Sequence, residues 1–396
     1  MNTLDNTNFA GRRAVVRVDF NVPLDQDLRI TDDTRIRAAT PSIKKILADG
    51  GAVVLLSHLG RPKGGYEKKF SLESLMQRLQ QEYGQEVLWG GDVLSDEAFE
   101  KAKNLQAGQV LLLDNLRFHK EEEAGDPVFA QRLAALGDVY VNDAFGTAHR
   151  AHASTAVMAQ YFAPENRVGG YLLQGEVDNA RKVLEHAERP FTAIMGGAKI
   201  SDKILLIDKL LDKVDNLIIG GGMSYTFAVA QGGHVGSSLL EADKVDLARD
   251  LIARAKAKGV NLVLPGDSLI ADVFANDANV DVAPSEAIPA GWMGLDLGPD
   301  AREEFADIIR ASKTILWNGP MGVFEMSNFS LGTEFVARAV AEATEAGAYS
   351  LIGGGDSAAA VQQMGFADRV SYISTGGGAL LEFMEGKELP GVAALG

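Results

Sequence analysis

The sequence predicts an α/β protein built from two doubly wound parallel-sheet, Rossmann-like lobes joined by a connector helix that carries a hinge. Three observations predict it. Short apolar runs with little alternation recur along the chain at residues 14–18, 52–56, 110–113 and 139–141, as expected of strands covered on both faces. Helix-sized segments lie between such runs, so the order reads βαβ. The 396 residues also exceed what one hydrophobic core usually supports.

In order, the strand at 14–18 is followed by a helix at 33–48 that stops at Asp49-Gly50-Gly51, and the strand at 52–56 by a helix at 71–83. The second helix opens with Ser71 and Glu73 and ends at Gly84. Leu173, Val177, Ala180, Leu184 and Ala187 then fall at helical spacing before Pro190, which makes 169–188 the connector. From Phe191 the alternation restarts, with helices expected at 201–213, 241–258, 300–311 and 332–346. The expected domains are therefore 1–168, the connector 169–188, 189–376 and a tail, 377–396, whose stretch 389–395 is apolar enough to dock.

A formal net charge of -16 sets nucleic acid and anionic membrane aside as general partners, because such polyanions are repelled over most of the surface. Local basic clusters then serve small anions. With no cysteine there is neither a disulfide framework nor a thiolate metal site. The polar start lacks a secretory apolar core, and the longest apolar runs are strand-sized, so a cytoplasmic protein without a membrane partner is expected, with a monomer as the default.

The two halves carry different chemistry. In the first, Arg17 to Asn21, Ser57 to Arg61, Asn115 to His119 and His149 to His152 follow or flank apolar runs. Cations and imidazoles crowded at strand ends read as side-chain capture of a small phosphorylated ligand, since like charges repel until an anion joins them. Taken singly, each residue reads as structural: Arg17 as a surface residue, Asp33 with Arg35 as a helix-start pair. Spacing alone leaves a zinc site at His149 and His152 as an alternative, although the motif lacks a Glu base.

In the second half, strand-like runs lead into Gly196-Gly197, Gly220 to Gly222, Gly353 to Gly355 and Gly376 to Gly378, as backbone approaching a nucleotide requires. Lys199 and Lys203 stand four apart across a strand-to-helix turn, where an anion between them relieves their conflict with the helix dipole. A solvated lysine pair is the plain alternative. Residues 353–358 match a loose G-x-G-x-x-A pattern, but Asp356 inside it repels a bare pyrophosphate. Magnesium ATP removes that difficulty, with the carboxylate reaching the metal directly or through water; helix capping by Asp356 is the alternative. No P-loop is present.

Seven segments, 17–23, 57–62, 116–119, 142–150, 196–199, 317–325 and 353–357, together resemble phosphoglycerate kinases. They come in family order and span nearly the whole chain. The resemblance implies a first lobe that binds 3-phosphoglycerate or 1,3-bisphosphoglycerate through Asp19, Phe20, Asn21, Arg35, His58, Leu59, Gly60, Arg61, Arg117 and Arg150. It implies a second lobe that binds ATP or ADP with Mg2+ through Lys199, Lys203, Gly220, Asn318, Glu325, Gly354, Gly355, Asp356 and Ser357, and a tail that packs back on the first lobe. Glu325 is expected on the ribose and Asp356 on the magnesium, by way of the nucleotide. Departures are small: Asp114 where many members have Glu, Ser224-Tyr225 where Ala-Phe is common, and Ser357 where Thr is frequent.

The reaction expected is reversible, in-line phosphoryl transfer. Both nucleophiles, a carboxylate and an ADP phosphate oxygen, are ionised near neutral pH, so no general base is needed. Arg35, Lys199, Lys203 and the amides of Gly376, Gly377 and Gly378 are the groups expected to meet the transferring phosphoryl after hinge closure. A nicotinamide dehydrogenase draws only on the glycines at 353–358. A silent metabolite sensor leaves Arg35, Lys199 and Asp356 without a role.

Overall fold

The computed structural model describes residues 1–396 and divides into two compact units, Met1–Asp178 with Lys387–Gly396, and Asn179–Gly386. The boundary falls inside the helix Tyr171–Glu185. The helix buries Leu173, Val177 and Ala180 as its spacing predicts, but next Val183, with Leu184 only half-buried.

The first unit is organised on a seven-stranded sheet in the order Asn2–Thr3, Arg167–Gly169, Val139–Asp143, Arg13–Val18, Ala52–Leu56, Val110–Leu112, Val87–Trp89. Every neighbouring pair is parallel. The three central strands are buried along almost their whole length, which is why they read as unbroken apolar runs. The helix Thr34–Ala48 lays Ile36, Ala39, Ile43 and Ile46 against this sheet in one core cluster with Val16, Val53 and Leu55. Two helices unforeseen in the sequence, Asp96–Lys103 and Pro127–Ala134, are short but carry clear starts: Ser95 accepts from Ala98 N at 3.1 Å and Asp126 from Phe129 N at 2.8 Å.

The second unit holds a six-stranded, all-parallel sheet in the order Asn261–Val263, Asn216–Ile219, Phe191–Met195, Thr314–Asn318, Tyr349–Gly353, Tyr372–Ile373. Numbered along the chain this is 3-2-1-4-5-6, the order of doubly wound dinucleotide folds, and it reverses between Phe191–Met195 and Thr314–Asn318. The helices expected at 300–311 and 332–346 are Pro299–Arg310 and Leu331–Glu345, packed on that sheet through Phe305, Ile309, Val336 and Val340. The helix expected at 201–213 is shorter, Ile204–Leu210, after a tight turn at Ile200–Asp202.

The strict βα alternation fails between 266 and 297. There Asp267–Ala271 pairs antiparallel with both Val280–Pro284 and Met293–Leu297. Antiparallel neighbours need only short loops, so this sheet forms without the helix-length crossovers that the parallel pattern anticipates. The tail also divides: the helix Gly378–Met384 stays in the second unit with Ala379, Leu380 and Met384 buried, while Lys387–Gly396 belongs to the first. There Gly391 N donates to Ala148 O at 2.8 Å, and a side chain at 391 would meet the backbone of Ala148 and Thr155.

Candidate active site

At the carboxyl ends of the central strands of the first unit, the loops after Arg13–Val18, Ala52–Leu56 and Val110–Leu112 are stitched into one assembly. Arg35 Nη1 donates to both carboxylate oxygens of Asp19 at 3.0 Å and to Asn21 O at 3.2 Å. Asn21 Oδ1 accepts from Gly60 N at 2.8 Å, and Gly60 O accepts from Arg117 Nη1 at 3.1 Å. Arg35, Asp19, Asn21, Gly60 and Arg117 are thus connected, although they come from three strand ends and a helix start. Arg117 Nε also lies 3.6 Å from Glu123 Oε1. Gly60 sits at φ +60°, and a Cβ there would run into the Phe70 ring.

Other candidates are placed differently. Phe20 is fully buried and Leu59 nearly so, both in the core cluster, which leaves their backbone as the part that can meet a ligand. Phe20 N donates to Ser57 Oγ at 2.9 Å. Arg61 and Arg150 are exposed. Arg17, for which a surface position was one reading, is completely buried. Its Nε donates to Ser154 Oγ at 2.7 Å, its Nη2 lies 3.1 Å from His58 Nδ1, and its Nη1 donates to Val18 O.

The imidazoles of His58 and His152 do not add to the positive charge, contrary to the expectation from the sequence, whereas Asp92 raises the pKa of His119. Burial first, then the guanidinium groups of Arg17, Arg117 and Arg35, holds His58 well below the usual histidine range. Burial and Arg117 bring His152 down to about 4. Around neutral pH the cationic surface is therefore made by the arginines, with two neutral rings among them.

In the second unit the site gathers at the point where strand order reverses. Gly196 N donates to Asn318 O at 2.9 Å, and a Cβ on Gly196 would strike the carbonyls of Gly319 and Pro320, so only glycine lets these strands end so close together. Lys203 Nζ donates to Asn318 Oδ1, and Asn318 Nδ2 donates to Gly353 O at 2.7 Å. Burial lowers the Lys203 pKa, opposed by the charges of Asp202 and Asp356. Lys199 is exposed and precedes the turn Ile200–Asp202. That turn is tied down by Glu241, not anticipated from the sequence, whose Oε2 accepts from Ile200 N at 2.6 Å.

The helix Gly355–Gln363 starts from Gly354, at φ +93°, so the N-cap is the glycine and not Asp356. Asp356 lies exposed in its first turn, and Ser357 is buried with Oγ accepting from Gly319 N at 2.6 Å. The Ser357 hydroxyl proton is what remains for a ligand. Gly376 N donates to Ser374 Oγ at 3.0 Å, and Gly377, at φ +48°, opens the helix Gly378–Met384.

Next to this junction is a cleft of about 630 Å³ with Glu325 and Asp356 at its polar side. Its apolar walls include Leu239, Phe274, Met293, Leu295 and Val323, none of them anticipated from the sequence. Gly220 stands behind the cleft residue Met321, whose sulfur a Cβ at 220 would strike. Phe274 is 58% exposed and Leu239 49%, which a large apolar side chain accepts at low cost when a flat apolar ligand covers it.

A doubly wound nucleotide-type unit with a lysine at its switch point, on the same chain as a unit carrying an arginine-rich pocket, defines an α/β phosphotransferase. Comparison with known proteins is specific. The family model described as phosphoglycerate kinase matches residues 4–387. A phosphoglycerate kinase from Porphyromonas gingivalis is 53% identical over 416 residues, covering 99% of both chains. A cytosolic phosphoglycerate kinase from Arabidopsis thaliana is 55% identical over 393 residues, covering 99% of this chain and 97% of the relative. The solved phosphoglycerate kinase structure from Coxiella burnetii superposes with a TM-score of 0.90 at 41% identity, covering 99% of this chain and 98% of that one. The chain belongs to the phosphoglycerate kinase family. Its reaction is the reversible transfer of a phosphoryl group between 1,3-bisphosphoglycerate and ADP, giving 3-phosphoglycerate and ATP.

Proposed function

We propose that the arginine-rich loops of the first unit hold the phosphoglycerate and that the switch-point cleft of the second holds the nucleotide. Asp19, Asn21, Arg35, His58, Arg61, Arg117 and Arg150 bind the acidic metabolite by side chain, and Phe20, Leu59 and Gly60 by backbone. Lys199, Lys203, Asn318, Gly354, Gly355, Asp356 and Ser357 take the nucleotide phosphates, Gly220 shapes the cleft, and Glu325 takes the ribose. The observation that carries this reading is the connected set Arg35, Asp19, Asn21, Gly60 and Arg117 at neighbouring strand ends, a rigid multidentate cradle for a small anion.

Phosphorus moves in line from the acyl oxygen to an ADP phosphate oxygen: one P–O bond breaks as another forms, and no proton changes hands. Arg35, Lys199, Lys203 and the amides at Gly376 and Gly377 stabilise the charge on the transferring group, the Gly376 N–H leaving Ser374 Oγ to do so. Hinge closure around the helix Tyr171–Glu185 brings the ligands together and excludes water from the acyl phosphate. No three His, Cys, Asp or Glu side chains converge as a self-sufficient metal site, and one exposed carboxylate beside a phosphate site suits an ion that keeps most of its waters. Asp356 would therefore hold Mg2+ that arrives with the nucleotide, and the ion supplies charge neutralisation on the phosphates. No helix is long and apolar enough to cross a membrane; a cytoplasmic monomer is the reading we adopt.

Crystals of the full chain soaked with 3-phosphoglycerate and magnesium ADP test the assignment. The metabolite is expected against Arg35 and Arg117 and the adenine in the cleft of Leu239 and Phe274. Both ligands in one unit would overturn it.

A further inference from the structure

A chain of buried polar groups runs from the strand ends into the first unit. Glu122, Ser154 and Arg17 are fully buried and His58 is 3% exposed. Glu122, on the short helix Lys120–Ala124, accepts from Ser154 N through Oε1 at 2.7 Å and from Ser154 Oγ through Oε2 at 2.6 Å. Ser154 Oγ accepts from Arg17 Nε at 2.7 Å, and Arg17 Nη2 lies 3.1 Å from His58 Nδ1. Tyr140 clamps the middle of the chain by donating to Ser154 O at 2.7 Å.

The direction of every hydrogen in this chain is dictated. A guanidinium has donors only and does not deprotonate, so Arg17 donates both to Ser154 and to His58. Ser154 spends its single hydroxyl proton on Glu122. His58 Nδ1, facing a donor, has to present its lone pair, and the ring proton is left on Nε2. A buried guanidinium also needs compensating charge, and Glu122 comes first among the carboxylates that raise the Arg17 pKa against burial.

We propose that Glu122 is a positioning residue for phosphoryl transfer: through Ser154 and Arg17 it fixes His58 as the neutral Nε2–H tautomer, a constant N–H donor at the phosphoglycerate site. This rests on the reading above that His58 meets the phosphoglycerate. Glu122 itself touches no ligand. Its contribution is the charge that keeps Arg17 pointing its donors at Ser154 and His58, and a glutamine in its place removes that charge. The amide NH2 of Gln would also turn toward Ser154 Oγ, depriving the hydroxyl proton of its acceptor.

The test combines long-range 1H–15N NMR of the His58 ring in the full chain, assigned by its loss in His58→Gln, with steady-state kinetics. In the unsubstituted protein the ring is expected as the Nε2–H tautomer at pH 6 and pH 8 alike. Glu122→Gln is expected to mix the tautomers and raise KM for 3-phosphoglycerate about tenfold, the equivalent of about 1.4 kcal/mol, with kcat and KM for ATP changed less than about twofold. Ser154→Ala, which cuts the same chain with a smaller side chain, gives the same signature and serves should Glu122→Gln not fold. An Nδ1–H ring in the unsubstituted protein, or one unmoved by either substitution, would overturn the relay. A changed tautomer with an unchanged KM would overturn the positioning role by removing His58 from the phosphoglycerate site.

Discussion

One nitrogen of Arg35, Nη1, meets both carboxylate oxygens of Asp19 at 3.0 Å and the Asn21 carbonyl at 3.2 Å. Asp19 is almost completely buried and Arg35 half-exposed, so the carboxylate anchors the guanidinium from below while its other N–H groups remain available for an anion.

Arg35→Ala is expected to lower kcat by a factor of about 10² to 10³, the range for losing one charge-stabilising donor, with ADP affinity changed less than about twofold. A coupled assay and calorimetric ADP titration measure the two quantities. Comparable losses in both would contradict a role confined to the phosphoglycerate and transferring phosphoryl.

Asn318 joins Lys203 to the carbonyl of Gly353, two strand ends away from each other across its own. Asn318→Ala leaves that buried carbonyl unpaired and Lys203 untethered. A loss of about 1–3 kcal/mol in unfolding free energy is expected, with a raised KM for ATP and an unchanged KM for 3-phosphoglycerate. Urea melts and kinetics with each substrate varied separate the effects; a selective rise in the 3-phosphoglycerate KM would place Asn318 elsewhere in the mechanism.

Gly294 lines the cleft with its Cα against Tyr225, and a Cβ there would overlap the phenol, whose hydroxyl donates to Ser268 Oγ at 3.1 Å. Gly294→Ala must push Tyr225 off this bond or deform the cleft wall. ADP affinity is expected to drop about tenfold, close to the cost of one misplaced packing contact, and 3-phosphoglycerate affinity to hold. Titration of both ligands checks this, and unchanged ADP binding would mean the cleft does not hold the nucleotide.

Asp143 ends the strand Val139–Asp143 with Oδ1 accepting from Leu173 N at 3.2 Å, at the start of the helix Tyr171–Glu185, and Oδ2 without a partner. Burial outweighs the opposing influence of the nearby Ser42 hydroxyl and the Leu173 and Leu172 N–H groups and pushes its pKa from 3.8 up to about 7. The folded state therefore binds this proton more tightly than the unfolded chain does. The stabilisation is fully present below about pH 4 and is lost as pH rises through about 7, at up to about 1.4 kcal/mol per pH unit. Denaturant melts from pH 5 to pH 8 should show Asp143→Asn gaining on the unsubstituted protein up to about pH 7 and levelling off beyond. A gain in the opposite direction would mean the carboxylate is stabilised as the anion.

Much of the fold was legible because a parallel strand covered on both faces leaves a local mark. The runs at 14–18 and 52–56 are apolar at nearly every position, and the strand positions they predict are buried. Arg17 is the informative exception. A cation in such a run is compatible with the surface by sequence alone, and what holds it inside is Ser154, Glu122 and His58, which come from segments distant in the chain. The apolar walls of the cleft carry no local mark in the sequence for a related reason. Leu239 and Phe274 are ordinary apolar residues in sequence, and only their shared exposure around one hollow distinguishes them.

By itself the sequence determined the class of fold, the family and the separation of cationic side chains from glycine turns, because hydrophobic period and residue type are properties of short segments. Tertiary structure alone decided which of those groups carry charge and which way they face. Burial among three guanidinium groups makes the His58 and His152 rings neutral, and packing turns the Phe20 side chain away from the ligand surface. The physical reason is that desolvation and hydrogen-bond direction depend on neighbours brought together by the sheet, and no window of sequence contains them.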